Sequence, residues 1–310
     1  SAASDVYKRQ DMLDYAIEVE HYDHHLERIL SLLEERGLLD QTLVVATSDH
    51  GMPFPRVKGQ AYLHSNHVPL AIRWPGGIQG SGRRIADFVN FTDLAPTFLE
   101  AAGIQSPGPI MQAMSGHSLF DIFKASGSGQ INPERNRVLV GKERHDIGRP
   151  NDWGYPIRGV LTSDWLYLHN FEPARWPAGN PETGYLNCDG SPLKTQILEA
   201  RRKGLSTASW ELSFGKRPEE ELYHVAMDED CMNNLAESTE HQETSTRLKD
   251  LMQRDLLQHQ DPRMLGKGDV FDSYPFVNES NVHFYERYMS GERPRTGWVH
   301  PSDFEPAALE

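Results

Sequence analysis

Apolar residues recur at spacings of three and four from Met12 through Ala16, Val19, Tyr22, Leu26, Ile29 and Leu33. This pattern predicts one amphipathic helix over 11–36, stopped by Gly37. After the polar break Asp40-Gln41, the run Thr42-Leu43-Val44-Val45-Ala46-Thr47 is continuously β-prone. A strand apolar on both faces belongs in a parallel sheet covered by helices, and helix, short loop, buried strand is an α/β signature. Val68–Trp74 predicts a second strand, ended by Pro75-Gly76-Gly77, and Ile85–Asn90 a third. Thr92 can cap a helix whose Leu94, Phe98, Leu99 and Ala102 share a face up to Gly103. A loop-rich stretch follows over 105–136, with a short helix expected over 118–124.

Beyond Ser126-Gly127-Ser128-Gly129 the texture changes. Short strands are predicted at 137–141, 158–161 and 165–170. Thr162-Ser163-Asp164 between the last two suggests a hairpin. A Pro-, Gly- and Asn-rich region over 171–216 carries a predicted helix at 194–202. A strand at 221–225 and a helix at 239–258, with Leu248, Leu251, Met252 and Leu256 on one side, follow. The tail from Asp261 has scattered aromatics and weak periodicity, and reads as an arm wrapped over the body. Ser1–Gln10 reads as a foreign leader set apart from the fold. The expected organisation is therefore a leader over 1–10, an α/β part over 11–125, an α+β subdomain with a short antiparallel sheet over 126–260, and a wrapping tail over 261–310.

Composition narrows the function. Lys plus Arg number 31 and Asp plus Glu 45, a net charge of −14. That balance argues against binding a phosphate backbone, and so against a nucleic-acid partner. No run approaches the ~18–20 apolar residues that span a bilayer. The two cysteines, Cys188 and Cys231, are too few for a disulfide scaffold and fit no zinc spacing, so they read as packed thiols.

The candidate chemistry lies in Thr47-Ser48-Asp49-His50-Gly51, where a predicted buried strand ends. Ligands of open α/β sheets bind at the carboxyl ends of strands. A carboxylate oxygen and an imidazole nitrogen suit a divalent cation, and Gly51 permits the bend that turns both into one crevice. A strand-end Asp-His also serves as a cap or turn, so the pair alone leaves both readings open. Lys58, after the stiff Met52-Pro53-Phe54-Pro55 loop, can meet an anion or stand in solvent. His21 and His25 have the i, i+4 spacing of a chelating pair but lack the H-E-x-x-H glutamate, and read as a helix face with His24. Arg201-Arg202-Lys203 reads as a solvated helix end.

These residues also carry a resemblance. Leu38–Pro55 with Lys58, Val68-Pro69-Leu70 and Trp74-Pro75-Gly76 resembles the second half of a type I sulfatase, of the alkaline phosphatase superfamily. Phe91-Thr92-Asp93-Leu94-Ala95-Pro96-Thr97 is similar to that family's D-[LI]-x-P-T helix start, and Gly116-His117-Ser118-Leu119 to its G-x-S-L. Glu221-Leu222-Tyr223 followed by Asn234-Leu235-Ala236 resembles its E-L-Y-D…N-L-A. The Met-Pro-Phe-Pro loop and Glu143-Arg144-His145…Gly154-Tyr155-Pro156-Ile157-Arg158 look closest to the heparan N-sulfatase branch.

The resemblance implies an α/β, alkaline phosphatase-like C-terminal half and a hydrolase of sulfate esters or N-sulfates on a sulfated, heparan-type sugar. It implies that Asp49 and His50 ligate one divalent cation, usually Ca²⁺. Because His replaces the commoner Asn, Mn²⁺ or Zn²⁺ also fits. Lys58 is implied to bind a sulfate oxygen as a catalytic group, and Arg144, His145, Arg158 and Arg175 to contact the sugar. The family's formylglycine arises from a C/S-x-P-x-R motif, which does not occur in these 310 residues. The expectation is a fragment that binds metal weakly and hydrolyses nothing alone, from a periplasmic, extracellular or lysosomal parent. The alternatives are a phosphodiesterase or phosphonate hydrolase of the same superfamily, and a catalytically dead glycan-binding relative.

Overall fold

The computed structural model describes residues 2–104, 108 and 111–310. Position 1 of the expected leader, and 105–107 and 109–110 of the expected loop, lie outside the described residues. In chain order the elements are α1 (Ala2–Glu35), β1 (Val44–Thr47), α2 (Leu63–Asn66), β2 (Leu70–Arg73), α3 (Leu94–Ala101), α4 (Phe120–Phe123), β3 (Arg137–Lys142), β4 (Ile157–Thr162), β5 (Leu166–Asn170), α5 (Pro192–Arg202), α6 (Ala208–Phe214), β6 (Glu220–Tyr223), α7 (Gln242–Gln258), α8 (Val270–Ser273) and α9 (Phe284–Met289). They form two compact units. One comprises Glu20–Ser48 and Pro69–Val138. The other comprises the chain through Val19, Asp49–Val68 and Leu139–Glu310.

Helix α1 starts well before the predicted 11–36, because neither Pro nor Gly interrupts residues 2–35. Its covered line also differs from the predicted face. Leu26, Leu30 and Leu33 are half-buried, while Met12, Val19, Tyr22 and Ile29 remain exposed. His21 and His25 sit on the exposed side, with their Nε2 atoms 3.1 Å apart.

In the smaller unit, β1 and β2 pair antiparallel, Val44 opposite Arg73 and Thr47 opposite Leu70. The predicted parallel arrangement is therefore corrected. An apolar run reports that both faces are covered but carries no information about strand direction. The strand expected at Ile85–Asn90 is reduced to one bridge, Ile85 to Gly129. Leu119, Ile122 and Phe123 form the core, with Ile72, Trp74, Ile78, Ile85, Val89 and Leu94 against them. The D-L-x-P-T and G-x-S-L segments are bound to each other. Asp93 accepts from His117 N at 2.8 Å, and Thr97 Oγ1 accepts from Leu119 N at 2.9 Å. Arg135 bridges Asp93 (3.0 Å) and Asp121 (2.9 Å) and donates to Ser118 O at 2.9 Å. Asn90 Oδ1 caps the turn before α3 by accepting from Thr92 N at 2.9 Å.

The larger unit is built on a four-stranded sheet in the order β3-β4-β5-β6. The predicted hairpin is present, with Ile157 opposite Asn170 and Leu161 opposite Leu166, and β6 continues the antiparallel sheet beside β5. Helix α7 lies on it: Leu248, Met252 and Leu256 pack with Val160, Tyr167 and Leu222. A second core joins Trp176, Tyr185, Leu198, Trp210 and Phe214. The tail contributes Phe284 to a third, with Ile147 and Leu186. Arg201 and Arg202 are not a solvated helix end, because both pair with the buried Glu305 of the tail, at 3.6 and 3.1 Å. Cys188 and Cys231 are free and buried. Among the described residues, no helix is long and apolar enough to cross a membrane.

Candidate functional site

All seven predicted site residues lie in the larger unit. The segment Asp49–Val68 is folded tightly on itself. Gly51 N donates to Ser65 O at 3.2 Å, and the amides of Val57 and Lys58 both donate to Phe54 O. Buried Phe54 takes the ring of Tyr15 edge-on. Gly51 is required for space and not for a left-handed backbone: a Cβ there would stand 1.9 Å from the His64 carbonyl oxygen.

Asp49 and His50 face each other, Asp49 Oδ2 lying 3.7 Å from His50 Nε2. The Asp49 side chain is 85% exposed. His50 Nδ1 lies 2.6 Å from Gly51 O. A carbonyl only accepts, so Nδ1 donates this hydrogen bond and Nε2 is the ring atom left facing the carboxylate. This pair fits two ligands of one cation. Among the described residues, no third His, Cys, Asp or Glu completes a cluster with it. A Ca²⁺ wanting ~6–8 oxygens is therefore not satisfied by these side chains alone.

Lys58 Nζ reaches Asp189 Oδ2 at 2.5 Å. The next residue, Gly59, has φ +70°, and a Cβ on it would lie 2.7 Å from Asn187 O and 3.0 Å from His145 Nδ1. The Lys58-Gly59 backbone is thus wedged between the 187–189 loop and His145, and only glycine fits there. Lys142, at the end of β3, donates to Gly59 O and lies 5.6 Å above the Tyr155 ring. Burial, then the charges of Arg149 and Arg217, hold the Lys142 ammonium well below the usual lysine range. Loss of hydration, then the charges of Lys142 and Lys58, push the His145 imidazole down to about 4. Burial pushes Asp146 up to about 6. Lys58 and His145 therefore gather with three groups the sequence reading missed, Lys142, Asp146 and Asp189, and the charge of His50 also reaches His145. Lys142 directly precedes Glu143-Arg144-His145 and was open to inference. Asp189 lies 131 residues from its partner and carried no local signal.

The three arginines are placed elsewhere. Arg144 donates to Asp152 O (3.1 Å) and Tyr274 O (3.0 Å) and lies over the Phe276 ring. Arg158 pairs with Glu143 (2.5 Å) and Asp261 (2.8 Å). Arg175 pairs with Asp272 (3.0 Å) and stacks on Trp153. Each holds the tail or its own loop and does not converge on Lys58.

The two shifts beside Lys58 have opposite consequences for stability. The His145 pKa is depressed, so its contribution is present above about 6.5 and is lost as pH falls toward about 4. The Asp146 pKa is raised, so its contribution is present below 3.8 and is lost as pH rises through about 6. The two offset each other over this window in the parent. His145→Gln is expected to leave stability falling as pH rises from 4 to 6. Asp146→Asn is expected to leave it falling as pH drops from 6.5 to 4. Urea midpoints measured across the range check this, and equal slopes in the two variants would refute it.

Comparison with known proteins finds similarity to sulfatases. Residues 2–104 match the sulfatase family model. The chain is 27% identical over 256 residues to an ulvan-active sulfatase of Formosa agariphila, covering 81% of this chain and 39% of that protein. It is 25% identical over 237 residues to the human N-sulphoglucosamine sulphohydrolase, covering 71% of this chain and 44% of that one. A structure solved in complex with its substrate, D-glucosamine-2-N,6-O-disulfate, superposes with a TM-score of 0.52 at 21% identity, over 78% of this chain and 40% of that one. Residues 2–104 are thus similar in sequence to sulfatases, and the mixed α/β fold is similar to that of solved sulfatase structures. The chain spans less than half the length of either curated relative.

Proposed function

We propose that this chain supplies part of the active site of a sulfatase that releases sulfate from a sulfated sugar, of heparan type and carried as an ester or N-sulfate. The observation that supports this reading is the meeting of Lys58, clasped by Asp189, with His145 and Lys142 on the segment that carries Asp49-His50. Asp49 and His50 would hold a divalent cation, Ca²⁺ or, given the imidazole, Mn²⁺ or Zn²⁺. When bound, that cation supplies positive charge to the sulfate oxygens. Lys58 exchanges its Asp189 partner for a sulfate oxygen and stabilises the charge that grows as the S–O or S–N bond breaks. His145, neutral at pH 7, offers a hydrogen bond to the sugar and not a charge. Arg158 and Arg175, held in ion pairs, are assigned to positioning the tail and not to the sugar.

The nucleophile is assigned to a formylglycine encoded upstream of this chain, within a parent of about twice its length, as its coverage of the relatives suggests. The test is to determine the reading frame upstream in the source DNA and to assay the joined protein for sulfate release from glucosamine N-sulfate and an aryl sulfate. A C/S-x-P-x-R segment with measurable release is expected. An upstream frame without that motif, or a joined protein that releases phosphate or phosphonate esters in preference to sulfate, overturns the reading.

A further inference from the structure

Two clusters of three potential metal ligands occur among the described residues, and neither includes the Asp49–His50 pair. One, His169 with Glu219 and Glu220, is already partly neutralised, because Lys249 Nζ is bound to Glu220. The other, Asp152 with His283 and Glu286, has no ammonium or guanidinium paired to its carboxylates among the described residues. Its three ligand atoms lie within 4.8 Å of one another.

The chain brings these residues together across more than 130 positions. Asp152 sits in the turn before β4 and His283 immediately before α9, whose first turn carries Glu286. Asp152 Oδ2 accepts from His283 N at 2.8 Å and lies 3.4 Å from His283 Nδ1. Glu286 Oε1 accepts from Asn151 N at 2.7 Å. The backbone contacts thus fix two carboxylates and an imidazole around one point. Independently, the Asp152 side chain is only 6% exposed, and its Oδ1 is buried with no hydrogen-bond partner. A buried carboxylate oxygen without a donor is costly, and native structures retain one where something else satisfies it.

We propose that Asp152, His283 and Glu286 form a divalent-cation site, distinct from Asp49–His50, that takes a borderline cation of the Zn²⁺ class. Two carboxylate oxygens and one imidazole nitrogen make three ligands of mixed type, the set that Zn²⁺ accepts with water in its fourth position. The exposed sides of His283 and Glu286 leave room for that water. Ca²⁺ is disfavoured by the nitrogen and the low ligand number. The ion gives the buried Asp152 carboxylate a positive partner and ties α9 of the tail to the 150–152 turn, so its role is to clamp the tail.

The test is Zn²⁺ binding to the whole chain by calorimetry, with thermal unfolding in parallel. Two variants remove ligands at exposed positions. His283→Gly suits the backbone there, whose φ is +56°. Glu286→Gln keeps an oxygen for the Asn151 amide. Each is expected to lose one equivalent of Zn²⁺, or to weaken it at least about ten-fold, and to lose the Zn²⁺-dependent rise in Tm. Asp49→Asn with His50→Gln is expected to leave that equivalent intact, which separates this site from the proposed sulfatase cation. Zn²⁺ stoichiometry, affinity and Tm shift unchanged in both His283→Gly and Glu286→Gln would overturn the proposal, as would Ca²⁺ binding this site more tightly than Zn²⁺.

Discussion

Lys194→Met is expected to destabilise the larger unit by about 3–5 kcal/mol, the cost of breaking a buried ion pair from one side. Lys194 and Asp303 are both completely buried, with Nζ 3.2 Å from Oδ2. The same ammonium donates to the carbonyls of Cys188 (2.7 Å) and Gly184 (2.9 Å). Asp303 also accepts from His300 N at 3.1 Å as it caps the turn at the end of the tail. Methionine fills much of the lysine's volume, so the loss is electrostatic and not a cavity. It strands one carboxylate and two carbonyls away from water. Adding Asp303→Asn to Lys194→Met is expected to recover part of the loss and not all of it, because the carbonyls stay unpaired. Urea unfolding followed by tryptophan fluorescence reads the effect, since Trp176 and Trp210 lie in the core beside Cys188 and Leu198. A single-variant loss below about 1 kcal/mol would show that the pair contributes little to holding the tail.

That pair illustrates what the sequence could not reveal. The hairpin was legible because Thr162-Ser163-Asp164 punctuates two apolar runs, and α7 because Leu248, Met252 and Leu256 repeat at helical spacing. Both signals are local. The family motifs were legible too, but the structure gives several of them a bracing role. Asn234 of N-L-A accepts from Leu222 N and Ala236 N and donates to Glu220 O, so it clasps the strand that carries E-L-Y. Glu221, in that strand, is a buried carboxylate that takes the hydroxyls of Tyr62 and Tyr223 and the Asn170 amide. Lys58–Asp189, Lys194–Asp303 and Asp152–His283 are separated by at least about a hundred residues, and no spacing rule reaches that far. The ion pairs of Arg158 and Arg175 were hidden from the sequence in the same way. A basic residue in a motif advertises charge, and only the folded chain shows that Glu143, Asp261 and Asp272 already answer it.

On the proposed reading, the largest functional loss follows from Lys58. Lys58→Ala in the joined enzyme is expected to lower kcat/KM for a sulfated sugar by roughly 10²–10³-fold, the loss typical of removing one preorganised donor to a developing oxyanion. The fold should tolerate it. Lys58 is held by a single carboxylate at a half-exposed position, and the loop around it is fixed by Gly51, Phe54 and Gly59 backbone contacts that the substitution leaves in place. Asp189→Asn acts in the opposite sense. It removes the carboxylate that competes with sulfate for the ammonium, so inorganic sulfate is expected to inhibit this variant at lower concentration than it inhibits the parent. Raising the ionic strength with chloride should blunt that difference, because the Lys58–Asp189 pair is partly open to solvent. If Lys58→Ala instead keeps kcat/KM within about three-fold of the parent while Asp189→Asn leaves sulfate inhibition unchanged, the ammonium is only a surface ion pair. The oxyanion must then be held by His145, Lys142 or a group upstream.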